Sequence, residues 1–261
     1  MSRWWHPADL GFAVRRKVAD LGAGARLFWH LLVHVRGLLR RFGLVVDQVH
    51  FLGNYSLVII GVSGLFVGFV MGLQFYYALQ RYGASDALGL LVALALLREL
   101  GPVLTALLFI GRAGTSLTAE IGLMKSGEQL SAMEMMAVDP VARVLAPRFW
   151  GGVIAVPLLS AMFCAVAIFG AWVVGVQLLR LDEGAFWGQM QSGVDVWKDV
   201  GNGVLKSIVF GLAATFTALF QGYNASPTPE GVSRATTRTV VIGSLGVLAL
   251  DFTLTALMFN F

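Results

Sequence analysis

The sequence predicts an all-α integral membrane protein: an N-terminal interfacial amphipathic helix, then five transmembrane helices running N-in to C-out, with a cytosolic helix between spans 2 and 3. Three observations carry this. Hydrophobic residues make up 57% of the 261 and charged ones only 13%, against about 25% charged in a soluble domain. Charge-free stretches cover residues 48–80, 149–179 and 207–229, each long enough for the ~20 residues that cross a hydrocarbon core about 30 Å thick. Lysine and arginine are distributed unevenly about those stretches, which sets the orientation.

The chain divides into a basic region at 1–47 and a five-span domain at 48–261. Residues 1–43 hold Arg3, Arg15, Arg16, Lys17, Arg26, Arg36, Arg40 and Arg41, interleaved with Trp4, Trp5, Phe12, Leu27, Phe28, Trp29, Leu31 and Leu32. Basic side chains mixed with aromatic and aliphatic ones at helical spacing suit a helix lying among lipid headgroups. The same charge would suit nucleic acid, but the adjoining spans favour the membrane surface, so no nucleic-acid partner is expected. There is no compact apolar run ending in a small-residue cleavage site, and this region is expected to be retained.

Span 1, about 51–80, carries Gly64, Gly68 and Gly72 four apart. Such a stripe lets another helix approach closely, so this face is expected to pack against protein. Span 2, about 87–124, would measure roughly 57 Å as one straight helix, longer than the core, and Gly101-Pro102 is its natural break. Between spans 2 and 3 a short amphipathic helix is expected at about 126–138, ended by Asp139-Pro140, with Leu130, Met133 and Met136 on one face and Glu128 and Glu134 beside them. Two readings stand for it: a methionine-rich surface for a groove on a partner protein, or a helix folded back on its own bundle. Span 3 is expected at about 149–179 and span 4 at about 200–223, joined by an outer loop at 180–199 with interfacial Trp187 and Trp197. Span 5 closes the chain at about 239–260.

With the N-terminus inside, the cytosolic side holds the eight basic residues above with Lys125, Arg143, Arg148, Arg234 and Arg238, and the outer side only Arg81, Arg180 and Lys198. The positive-inside rule accordingly supports an N-terminus inside, five spans and a C-terminus outside.

Catalytic chemistry has no foothold. The sequence lacks a GxxxxGK[ST] phosphate loop, a GxSxG elbow and any cluster of metal ligands. His30 and His34 stand four apart without HExxH context or a third ligand, so no metal site is predicted. Cys164 is the one cysteine, which excludes a disulfide within the chain.

What remains is polar chemistry inside the spans: Gln74, Arg98, Glu99, Arg112, Glu120, Lys206 and Asp251. A charge near the bilayer centre costs about 2.5–3.5 kcal/mol on insertion scales, so Arg98 and Glu99 face either a transport pathway or a structural polar network. Adjacent on a helix, they point about 100° apart and need not neutralise one another. Lys206 either attracts an anionic headgroup from a cavity wall or snorkels outward. Gln74 and Tyr82, with apolar Met71 and Leu79, make a wall suited to an amphiphile or simply a packing face. Arg112 and Glu120 are expected to snorkel or bond between helices near the cytosolic end.

Residues 97–124 (LRELGPVLTALLFIGRAGTSLTAEIGLM), 128–140 (EQLSAMEMMAVDP), 147–150 (PRFW), 231–241 (GVSRATTRTVV) and 250–259 (LDFTLTALMF) together resemble the MlaE (YrbE-like) permease family, over roughly residues 50–261. The resemblance implies the non-catalytic membrane subunit of an ABC transporter in a Gram-negative inner membrane. It would move phospholipid between that membrane and a periplasmic MCE protein, maintaining outer-membrane lipid asymmetry. Implied partners are a second copy of the chain, a separate ATPase that uses ATP and Mg, a cytosolic STAS-domain subunit and a hexameric MCE ring, with no cofactor on this chain. The lipid cavity would be bordered by Met71, Gln74, Leu79, Tyr82, Arg98, Glu99 and Lys206. The helix at 126–138 would be the coupling helix, meeting the ATPase through Glu128, Leu130, Met133, Glu134 and Met136. The competing class is an ion-coupled secondary transporter with Glu99 or Asp251 as its coupling site.

Overall fold

The apolar segments form helices, and the helices run on past the apolarity. A computed structural model describes residues 7–34 and 42–259, all helix and turn with no strand among them. Residues 1–6, 35–41 and 260–261 lie outside that description, and with them Arg3, Trp4, Trp5, Arg36, Arg40 and Arg41 of the basic region. The elements are α1 (Pro7–Val33), α2 (Phe42–Gln80), α3 (Ser85–Ser126), α4 (Gln129–Met135), α5 (Val141–Leu178), α6 (Glu183–Gly193), α7 (Val196–Tyr223) and α8 (Pro229–Phe259). Five of them, α2, α3, α5, α7 and α8, are long and apolar enough to cross a membrane.

Three of these begin well before the apolar stretches do: α2 at Phe42, α5 at Val141 and α8 at Pro229. The added turns carry Asp47, Arg143, Arg148, Glu230, Arg234 and Arg238. Apolarity ends where the chain leaves lipid, whereas backbone hydrogen bonding continues into water, so composition alone under-measures each helix.

The glycine stripe of α2 is a close crossing with α5. A Cβ on Gly64 would lie 3.1 Å from the Phe163 carbonyl oxygen, one on Gly72 3.2 Å from the Ala171 Cα, and one on Gly68 would overlap the Ala167 carbonyl. Around this crossing Ile60, Phe109, Phe163, Ala167, Phe210 and Ala214 form the main buried core. A second cluster joins α1 to the inner end of the bundle. Leu27 and Leu31 are buried with Leu130, Phe149 and Leu219, the Phe28 ring meets Phe149 and Phe216 edge-on, and Trp150 Nε1 donates to the Leu31 carbonyl at 3.3 Å.

The expected break in span 2 takes a specific form. Residues Leu96–Leu100 make a π-turn, in which the Gly101 N–H donates to the Leu96 carbonyl, and α-helix resumes with Pro102 in its first turn. Proline at 102 has no N–H for the carbonyl four residues back, and the widened turn absorbs that loss without ending the helix. The expected outer loop is also more ordered than composition suggests. Asp182 caps α6 by accepting the Ala185 N–H at 2.7 Å, and Phe186 is buried in the main core. Asp199 belongs to the first turn of α7 rather than to a loop.

Candidate functional site

Arg98 and Glu99 occupy the π-turn of α3 and reach different partners on α7. Arg98 Nε donates to Asp199 Oδ1 at 2.7 Å and its Nη2 lies 2.6 Å from the same oxygen. Asp199 Oδ2 in turn accepts the Asp195 N–H at 2.9 Å, so this carboxylate, 2% exposed, is held at both oxygens. Glu99 Oε2 lies 2.7 Å from Lys206 Nζ, two turns further along α7. Lys206, 1% exposed, also donates to Thr255 Oγ1 at 2.7 Å and to Asp251 Oδ1 at 3.3 Å on α8. Thr255 closes the group by donating to Glu99 at 3.1 Å.

Local sequence explains how three helices converge here. Asp199, Asn202 and Lys206 follow a three-and-four spacing that sets them on one face of α7, and Asp251 and Thr255 are four apart on α8. Gly203 lets α7 approach α3 so closely that a Cβ there would overlap the Leu97 carbonyl. The five charges, two positive and three negative, lie in a membrane-spanning bundle where pairing strongly reduces the cost of each.

The cluster is not sealed. Arg98, Glu99, Lys198, Asp199, Asn202, Lys206 and Met258 line a cavity of about 350 Å³. The Arg98 and Glu99 side chains are 38% and 31% exposed. Each residue therefore pairs across the bundle and also faces open space. Across the α3–α7 crossing a second cavity, about 300 Å³ and almost wholly apolar, is lined by residues including Leu97, Pro102, Cys164, Ile168 and Val204.

The first-span residues sit elsewhere. Met71 is buried in the main core, Leu79 is half-buried against it, and Gln74 and Tyr82 are exposed; within one chain none of the four lines the cavity beside Arg98. On α4, Leu130 is buried and Met133 packs against the same inner cluster, while Glu128, Glu134, Met135 and Met136 are exposed. Glu120 pairs with Arg148. His34 donates from Nδ1 to the His30 carbonyl at 2.7 Å and its Nε2 lies 3.6 Å from Asp139. Among the described residues, no three His, Cys, Asp or Glu side chains come together as a metal site.

Sequence reasoning missed Asp199, Asn202 and Thr255. The signal for the first two was the face they share with Lys206, and for Thr255 its four-residue offset from Asp251.

The family model described as Permease MlaE matches residues 45–257. An intermembrane phospholipid transport system permease protein of Haemophilus influenzae is 55% identical over 252 residues, covering 95% of this chain and 97% of that protein. A probable ABC transporter permease of Rickettsia typhi is 33% identical, with 83% of each chain covered. Another from a Synechocystis species is 32% identical over 98% of this chain and 94% of its own length. The motifs around Arg98-Glu99, the helical architecture and near full-length likeness agree, and the chain belongs to the MlaE permease family.

Proposed function

We propose that this chain is the membrane-spanning permease of an ABC transporter for phospholipid, in a Gram-negative inner membrane. The observation that carries the reading is the 55% identity along nearly the whole of both chains to an intermembrane phospholipid transport permease. In this reading the chain performs no covalent chemistry and holds no cofactor; ATP and Mg belong to a partner ATPase. Two copies pair, with a STAS-domain subunit on the cytosolic side and an MCE ring receiving or delivering lipid on the periplasmic side.

The cavity beside Arg98, Glu99 and Lys206 is the proposed headgroup end of the lipid path, because its walls offer both signs of charge to a zwitterion or an anion. Met71, Gln74, Leu79 and Tyr82 contribute through the facing copy or through movement of α2. ATP-driven closure of the ATPase pushes α4, and the bundle passes from a cavity that holds lipid to one that does not, a shift between two populations.

The test is reconstitution of the chain with its ATPase in proteoliposomes, following a fluorescent phospholipid to a soluble acceptor. Transfer is expected only with hydrolysable ATP. Transfer driven by a proton gradient without the ATPase would overturn this reading in favour of ion coupling.

A further inference from the structure

Arg112 stands in the second π-turn of α3, Ile110–Gly114, well inside a membrane-spanning helix. Its guanidinium lies 5.2 Å from the centre of the Tyr55 ring. Nη1 donates to Ser56 Oγ at 3.4 Å, a long bond to a hydroxyl that itself donates to the Leu52 carbonyl at 2.7 Å. Among the described residues no carboxylate pairs with Arg112, whereas Arg98, Glu99, Lys206 and Asp251 are all ion-paired. A guanidinium carries five N–H donors and here uses one, weakly.

The free edge opens on a groove of about 510 Å³ between α2 and α3, lined by Tyr55, Val58, Ile59, Val62, Ser63 and Arg112. One cation and the hydroxyls of Tyr55 and Ser63 sit beside an aliphatic wall, a pattern that matches a phosphate attached to hydrocarbon. The depth agrees. Tyr55 lies about 9 Å to the N-terminal side of the middle of α2, and Arg112 about 10 Å beyond the middle of α3, at 1.5 Å per residue. With the N-terminus inside, both displacements point toward the cytosol, and an arginine stem snorkels the rest of the way to headgroup level.

We propose that this groove binds the phosphodiester of a glycerophospholipid from the cytosolic leaflet, with Arg112 forked on the phosphate and Val58, Ile59 and Val62 against the upper acyl chain. The planar guanidinium matches two non-bridging phosphate oxygens, and the Tyr55 ring covers one of its faces so that its edge is presented to the groove. The site is separate from the Arg98–Glu99 cluster, about 20 Å away along α3, and it does not rest on the transport reading, because binding is measured without ATP.

The test uses the full-length chain in phosphatidylglycerol nanodiscs, with a phosphatidylglycerol analogue bearing a diazirine next to its headgroup. After illumination, labelling is expected on the peptide spanning residues 55–63. Arg112→Gln is expected to lower that yield about tenfold, the loss of one charge-assisted phosphate contact, while Arg112→Lys retains part of it. Val62→Trp fills the groove from an exposed position with the charge intact and is expected to lower labelling while eluting like the wild type, so the test stands even where Arg112→Gln misfolds. Wild-type yield in Val62→Trp, or in a folded Arg112→Gln, overturns the proposal. So does absence of the label at 55–63 in the wild type, which would mean that protein, such as a second copy, covers the groove. Loss of labelling in a large excess of inorganic phosphate would assign the site to free phosphate and overturn the lipid.

Discussion

Lys206 has three N–H donors and three acceptors within reach, Glu99 and Thr255 at 2.7 Å and Asp251 at 3.3 Å, so its ammonium is saturated in a place where water scarcely reaches. Removing it leaves two carboxylates facing each other with no counter-charge. Lys206→Met is expected to destabilise the fold by about 3 kcal/mol, the lower end for a broken buried pair because both carboxylates keep some contact with the cavity. Adding Glu99→Gln and Asp251→Asn to that variant is expected to recover most of the loss, since neutral amides need no counter-charge. Thermal unfolding in detergent reads both, and a lone Lys206→Met as stable as the wild type would sink the account. Arg98, Glu99 and Lys206 were legible in the sequence because a charge inside an apolar run is costly enough to demand a reason. Their partners were not, since Asp199 is 101 residues from Arg98 and Thr255 156 from Glu99, and only the fold closes those separations. Asp199 also disguises itself: acidic residues mark outer loops and first helical turns alike.

The same limit governs the elements. Four-residue glycine spacing identified which face of α2 would pack, and it could not say that α5 would be the neighbour, because periodicity describes one helix at a time. At Gly68 the neighbouring atom is the Ala167 backbone carbonyl, which cannot swing aside as a side chain would. Gly68→Ala is accordingly expected to force α2 and α5 apart at a cost of about 1–3 kcal/mol. Gly53, on the same helix, is the control, because a Cβ there would meet nothing within 4 Å. Gly53→Ala is expected to be neutral or to stabilise by up to about 1 kcal/mol through helix propensity. Parallel melting curves compare them, and equal behaviour would show that the stripe is compositional. The break in α3 was legible from Gly101-Pro102, while its form as a π-turn was not, because proline removes a hydrogen bond without dictating how the neighbouring carbonyls find new partners.

At the scale of the molecule, α3 and α7 are bound together along their length: Arg98 to Asp199 toward the outer end, Thr118 Oγ1 to the Ala218 carbonyl at 3.0 Å further in, and Lys125 Nζ to the Tyr223 carbonyl at 2.7 Å at the inner end. A pair tied at three levels is expected to move as one body, so that in the proposed cycle a push at its inner end reaches the charged cavity. In the proposed transport cycle the element that receives such a push is α4, which follows α3 after a turn that holds Glu128 in left-handed conformation. Its Leu130 and Met133 face the bundle, so the apolar face read from spacing is divided, and the surface open to a partner is Met135 and Met136, 84% and 68% exposed. Substituting Met133 would therefore perturb the fold rather than test docking. Met135→Asp with Met136→Asp is expected to leave the melting temperature unchanged and to weaken association with the ATPase about tenfold or more, as loss of buried anchors does at an interface. Leu130→Asp is expected to lower the melting temperature instead, separating support of α4 from what α4 presents. Co-purification of the ATPase and lipid-stimulated ATP turnover are the readings. Normal values for both in the double variant would remove α4 as the docking element, whereas loss of turnover with stable protein would place the transmission of force on these two side chains and, through α3 and α7, at the cavity beside Arg98 and Glu99.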